Sequence, residues 1–240
     1  MDITQFFTEC RDTLDKHYDK RERIIKLSRD ITAQSKKYVF ALHRATKQRK
    51  PNYGEALDKQ KEIIQLFKNL APDVQGVNYY RYSRSFSGGF EEFIEAVAFY
   101  HYLTTGTLIK KQEIDALFQD EQGNQWIHVQ DSDYILGLGD FTGELMRYAI
   151  QIVTSGEYDE ALKICRFLRE MKADFELLAG QLLPAVRKKL GALNGSLNKV
   201  EKACYTFQIR GSEYPKHMYE AIIRDHQARY DAERDVEADD

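Results

Sequence analysis

The sequence predicts an all-α protein, a single-domain bundle of about seven helices led by a very long N-terminal helix. Three observations carry that prediction. From Ile3 to Lys50 there is neither proline nor glycine, and Phe7, Cys10, Leu14, His17, Ile24, Ile31, Tyr38 and Leu42 recur in steps of three, four and seven, which is one stripe of a helix. The 240 residues hold only 4 prolines and 14 glycines, fewer turn formers than an all-β chain of this length needs. Neither a fixed-period repeat nor a low-complexity linker divides the chain, so one domain, residues 1–240, is the simplest organisation.

The elements follow in order. Pro51 ends the first helix, because proline lacks the amide a helix interior needs. That helix exceeds the usual globular length, so it is expected to run along several neighbours or across a subunit boundary. A second helix is expected from Tyr53 to Leu70, with Ala56, Ile63, Phe67 and Leu70 inward and a turn at Pro72 and Gly76. A third runs from about Asn78 to Leu103 and contains Gly88-Gly89. Each glycine costs a helix roughly 1 kcal/mol relative to alanine, so a kink or a close helix–helix contact is expected there. A short helix follows from about Lys110 to Phe118, and then a polar stretch, Gln119 to Val129, pinned by the single Trp126 and the one place where extended chain is expected.

Asp131, Ser132 and Asp133 offer N-caps for a fifth helix that reaches Thr154 and stops at Gly156. The sixth runs from Tyr158 to Leu178 and stops at Gly180; the seventh has Pro184 in its first turn, reaches Arg210 and ends at Gly211. A shorter helix is expected beyond Pro215, and the acidic end, about residues 230–240, should fray.

A net charge of −3 does not advertise a nucleic-acid binder, so any contact with RNA or DNA must use a local patch or a partner's charge. Cys10, Cys165 and Cys204 are few, odd in number and far apart, which suits a reducing compartment and argues against a disulfide framework or a CxxC metal site. No apolar run is long enough for a bilayer, and Met1-Asp2-Ile3-Thr4 lacks the features of a signal peptide. The expected address is therefore cytoplasm or nucleus, with no membrane. Nucleophilic catalysis and nucleotide binding have no support, since G-x-S-x-G, the P-loop and G-x-G-x-x-G are all lacking.

Two segments carry the chemistry. In Phe90-Glu91-Glu92-Phe93-Ile94-Glu95-Ala96-Val97, Glu92 and Glu95 are three apart; in Gly139-Asp140-Phe141-Thr142-Gly143-Glu144-Leu145-Met146-Arg147, Asp140 and Glu144 are four apart. Each pair shares a helical face, and the surroundings are apolar or small. Buried carboxylates need a partner, a proton or a metal. Facing each other in a bundle core, the pairs would supply the hard oxygens that suit Mg²⁺ or Mn²⁺. The matching chemistry is phosphodiester hydrolysis, in which the metal polarises the phosphate and generates the attacking hydroxide. Acids at these spacings are more often a solvated face or salt-bridge partners. A di-iron bundle would use Glu-x-x-His, and no Glu here has a His three residues on.

Asn78-Tyr79-Tyr80-Arg81-Tyr82-Ser83-Arg84-Ser85-Phe86 interleaves aromatics with arginines just before the acids. Tyr80, Arg81 and Arg84, with Arg147, are the candidate nucleic-acid contacts, rings stacking unpaired bases and guanidinium groups holding phosphates. The run also reads as the amphipathic start of a helix. Lys36-Lys37 and Arg44 to Lys50 form a second basic stretch, of the kind found on a solvated helix end.

On these residues the chain resembles the translin family, on its translin-associated factor X branch. The resemblance rests on Lys26-Leu27-Ser28-Arg29-Asp30-Ile31-Thr32 with Ser35-Lys36, on Glu92-x-x-Glu95-Ala96-Val97, and on Asp133-Tyr134-x-Leu136-Gly137 followed by Asp140-x-Thr142-Gly143-Glu144-Leu145-Met146-Arg147. It extends to Val200-Glu201-x-Ala203-Cys204-Tyr205 and to Arg210-Gly211-Ser212-Glu213-x-Pro215-Lys216-His217-Met218. The resemblance implies a bundle of about seven helices that joins translin in a hollow hetero-oligomer, a Mg²⁺-dependent endoribonuclease acting on single-stranded RNA, with single-stranded DNA a further ligand. It implies work in passenger-strand removal during RNA silencing or in transfer-RNA processing, in cytoplasm and nucleus. By motif, the catalytic acids fall on Glu92, Glu95 and Asp140, with Glu144 as a further ligand or base; Glu91 receives no role. The alternative is a non-catalytic scaffold subunit that stabilises a translin–nucleic-acid complex.

Overall fold

The computed structural model describes residues 3–179 and 184–210. Among them are seven α-helices and no strand: α1 (Ile3–Thr46), α2 (Gly54–Leu70), α3 (Val77–Thr105), α4 (Lys111–Ala116), α5 (Asp131–Ser155), α6 (Tyr158–Ala179) and α7 (Pro184–Arg210). The all-α expectation holds, and each expected helix within these residues is present, α1 ending at Thr46 before the stop expected at Pro51. A short 3₁₀ turn, Ala71–Val74, also follows α2. The expected stops at Gly180 and Gly211, the helix beyond Pro215 and the fraying tail lie outside the described residues.

The contacts sort into two compact units, Met1–Phe141 and Thr142–Asp240. In the first, α1 splits by burial. Ile24, Ile31, Tyr38 and Leu42 of its stripe are fully buried, whereas Phe7 and Leu14, on the same stripe, are 66% and 68% exposed. The core is a ring cluster. Phe67 of α2 lies 4.5 Å from Phe90 and 5.4 Å from Phe93 of α3, and 5.1 Å from Phe118 just beyond α4. The Phe67–Phe118 pair is edge-to-face, at 82°, a geometry that adds about 0.5–1.5 kcal/mol to the burial of its area. Phe118 in turn meets Trp126 at 5.5 Å, which is how the single tryptophan pins the loop. That loop is not a strand; it makes one isolated bridge, Gln119 to Gln125.

Two glycines set helix spacing. The Gly88-Gly89 pair leaves α3 unbroken, and at Gly89 an added Cβ would sit 3.2 Å from Ser28 Oγ and 3.3 Å from Ile31 Cγ2 of α1, so the close-contact expectation is met there. Gly88 faces open space. At Gly137 of α5 the fit is tighter: a Cβ would meet Glu91 O and the Ile94 side chain at 2.8 Å. Only glycine lets the backbones of α3 and α5 approach this closely.

The second unit holds an antiparallel helix pair. Tyr158 stacks on Phe207 at 5.4 Å and donates its hydroxyl to Gln208 at 3.0 Å, while Arg169 Nε donates to Glu201 at 2.7 Å. Ile164 and Leu168 of α6, with Leu193, Leu197 and Val200 of α7, are buried, which are the apolar positions that helical spacing marks on each sequence.

Candidate acidic site and nucleic-acid interface

The α3–α5 contact organises the acids of the first unit. Ile94 touches Gly137, and eight residues later on α3 Tyr102 meets Phe141 at 6.1 Å. These two contacts run in the same chain direction and bracket Glu95 on α3 and Asp140 on α5. Both carboxylates are half-buried. On α5, Asp133, Gly137 and Asp140 recur at steps of four and three; on α3, Glu91, Glu95 and Tyr102 recur at four and seven. Each series lies on one helical face, so an acidic seam from α3 runs beside one from α5.

Glu92 is turned toward α1. Its Oε1 lies 3.4 Å from Lys36 Nζ, and its side chain is 26% exposed. That placement explains the lysine of the Ser35-Lys36 motif, whose cation offsets the nearest of the acids. Glu144 belongs to the second unit, half-buried and 3.6 Å from Arg147; its link with Asp140 is the four-residue spacing along α5.

Two residues carry more than the sequence suggested. Asp133, expected as an N-cap, lies inside the first turn of α5, and Tyr134 N–H donates instead to the Gln130 carbonyl. Asp133 is only 4% exposed. Burial, and secondarily the charge of Glu91, push its carboxyl up to about 7. Glu91, given no role from the sequence, is therefore the electrostatic partner of a buried acid. The signal was present in the seven-residue step from Asp133 to Asp140 and the four-residue step from Glu91 to Glu95, which place each on the seam.

Among the described residues, no three His, Cys, Asp or Glu side chains converge into an all-protein metal cage. Mg²⁺ does not ask for one. It takes one or two carboxylates and fills its remaining positions with water and substrate phosphate oxygens. Half-buried Glu95 and Asp140, with Glu92 nearby on α3, offer a donor set of that size and hardness.

The candidate nucleic-acid residues divide by their tethers. Tyr80 is 75% exposed and its ring meets Tyr79 at 5.6 Å. Arg81 is exposed but held by α1: its Nη1 lies 2.7 Å from His17 Nε2. Arginine only donates, so the imidazole accepts from it, and His17 Nδ1 also meets the Tyr82 hydroxyl. Arg84 is exposed and, among the described residues, has no partner. Arg147 is exposed beside Glu144 in the second unit. In the second basic stretch, Lys36 serves Glu92 and Arg44 pairs with Glu55. No described helix is long and apolar enough to cross a membrane.

Comparison with known proteins follows the same lines. Residues 19–211 match the translin family model. Translin-associated protein X of Rattus norvegicus is 36% identical over 235 residues, spanning 88% of this chain and 80% of the relative. The translin-associated protein X homolog of Schizosaccharomyces pombe is 31% identical, spanning 86% of this chain and 89% of its own. Translin of Mus musculus is 26% identical over 88% of this chain and 95% of its own. Among solved structures, AfC3PO matches with a TM-score of 0.67 at 20% identity, spanning 85% of this chain and 97% of that one. The complex of AfC3PO with duplex RNA matches with a TM-score of 0.66 at 20% identity, over 85% and 96% of the two chains. At that identity the likeness concerns the fold.

Proposed function

This chain belongs to the translin family, and on that premise we propose that it is the catalytic subunit of a Mg²⁺-dependent endoribonuclease, cutting single-stranded RNA in a hollow hetero-oligomer with translin. The observation that carries the reading is the α3–α5 approach at Gly137, which runs the Glu91–Glu95 seam beside the Asp133–Asp140 seam. A bound Mg²⁺ would supply positive charge to polarise a phosphodiester. Glu95 and Asp140 would hold it, Glu92 standing beside them on α3 against Lys36, and a carboxylate would take the proton of the attacking water. Arg84 and Arg81 would hold phosphates and Tyr80 would stack a base, upstream of the acids on the same helix. The complex of a structural neighbour with duplex RNA supports a nucleic-acid role. Passenger-strand removal or transfer-RNA processing, in cytoplasm and nucleus, is the setting that goes with this reading.

The test is cleavage of a labelled single-stranded RNA by this chain co-purified with its translin partner, with Mg²⁺, with EDTA, and with Glu95→Ala. Loss of cleavage in both controls, with assembly intact, is expected. Cleavage indifferent to both changes, or none from an assembled complex, would sink the nuclease reading. The remaining reading is a scaffold subunit. Its support is the exposed apolar stripe at the amino end of α1, with Phe7 66% and Leu14 68% exposed, a face shaped for another helix.

A further inference from the structure

The three described contacts between α6 and α7 fix their register. Tyr158 meets Phe207 and Gln208, and Arg169 meets Glu201. Cys165 lies one turn before Arg169 and Cys204 nearly one turn after Glu201, so in an antiparallel pair the two cysteines face each other. Both line one groove of about 550 Å³ that also takes in Tyr158, Arg166, Arg169 and Tyr205. Both are reduced thiols and both are buried, at 3% and 4% exposure. The groove brings a small solute to a pair that the rest of the fold shields. Nothing in the acidic site uses these residues.

We propose that Cys165 and Cys204 form a redox-active dithiol that hydrogen peroxide closes into a disulfide clamping α6 to α7. One thiolate attacks the peroxide O–O bond, giving a sulfenic acid and hydroxide. The second thiol attacks that sulfur, the S–S bond forms and the sulfenic oxygen leaves as water. In total, two thiols and one peroxide give one disulfide and two waters. The thiolate is the reactive form, and burial holds it scarce: it raises Cys165 and, with the Cys165 sulfur adding to the effect, pushes Cys204 up to about 11, Arg169 opposing the rise at both. The pair is therefore slow at neutral pH, and its closure rate should rise about tenfold per pH unit below the lower thiol pKa.

The test uses the full-length reduced chain, exposed to hydrogen peroxide and digested without reductant. Titratable thiols should fall from three to one, with a single linked peptide joining Cys165 to Cys204, reversed by dithiothreitol. Cys10→Ser should leave the loss of two thiols intact, and Cys165→Ser should abolish the link. If Cys165→Ser does not fold, Cys204→Ser serves the same purpose, and the Cys10→Ser chain decides by itself, since its two remaining thiols must vanish together. Persistence of both thiols, separate sulfinic acids on each, or dimers linked through Cys10 without the Cys165–Cys204 peptide would overturn the proposal.

Discussion

Gly137→Ala offers a direct test of the α3–α5 approach. In an exposed helix interior, alanine for glycine gains about 1 kcal/mol. Here the new methyl group would lie 2.8 Å from Glu91 O and 2.8 Å from Ile94 Cβ and Cγ2. Neither a carbonyl oxygen nor a Cβ can swing aside as a flexible side-chain tip can, so the helices must part. Overpacking of this kind costs roughly 1–3 kcal/mol, and the net loss is about 1 kcal/mol. Gly88→Ala is the internal control: it sits mid-helix in α3, and nothing lies within 4 Å of its added Cβ, so it should gain about 1 kcal/mol. The two variants should thus differ by about 2 kcal/mol, or roughly 4–8 °C in melting temperature for a chain of this size. Urea unfolding at unchanged m separates them. A Gly137→Ala chain as stable as Gly88→Ala would refute the close approach and remove the support it gives the acidic seam.

Other expected outcomes follow from single contacts. Asp133 has a folded pKa raised to about 7 above an unfolded value near 3.9, so the native state holds the extra proton between those limits; its contribution is present at low pH and lost as pH climbs from about 4 to 7. Asp133→Asn should accordingly raise the urea midpoint at pH 8 and not at pH 4, and an equal change at both would refute the assignment. Phe67→Ala, at the centre of the ring cluster and fully buried, should cost about 3–5 kcal/mol, read as a collapse of the thermal transition. Arg84→Ala should weaken binding of a single-stranded RNA across sequences and lower the salt slope by about one; an unchanged slope would show that this guanidinium touches no phosphate. Removing the Arg169–Glu201 pair with Glu201→Ala should cost under about 1 kcal/mol, because the arginine is largely exposed, and chemical denaturation should barely register it.

The helices were legible because their punctuation is local. Gly156, with its left-handed φ of 88°, stops a helix where the sequence suggests, and Gly106 with φ of 71° caps α3 close to the expected Leu103, since chain direction at those points depends on one residue's sterics; α1 ends at Thr46, short of Pro51. The site was legible only in part. Spacing put Glu92 and Glu95 on one face, but spacing cannot say that Lys36 of α1 lies 3.4 Å from Glu92, or that Ile94, beside Glu95, packs on Gly137 of α5. Asp133 read as a cap because its type favours that role and its burial is a tertiary fact. Gly137 carried no turn signal at all, because its constraint comes from Glu91 and Ile94, more than forty residues away.

α1 has 44 residues and is therefore about 66 Å long at 1.5 Å per residue, yet its first fully buried position is Ile24. Ile3, Phe7, Leu14 and Tyr18 stand 63–74% exposed along one side of the stretch before it. Water is a poor solvent for such a face, and a second helix laid along it would bind the folded chain and not the unfolded one. Mass action then couples the two proteins: each tenfold rise in free partner above its dissociation constant adds about 1.4 kcal/mol to the stability of this chain. A cell that made the subunit in excess would hold the surplus as its least stable, most aggregation-prone fraction, so the level of this protein should track the supply of its partner.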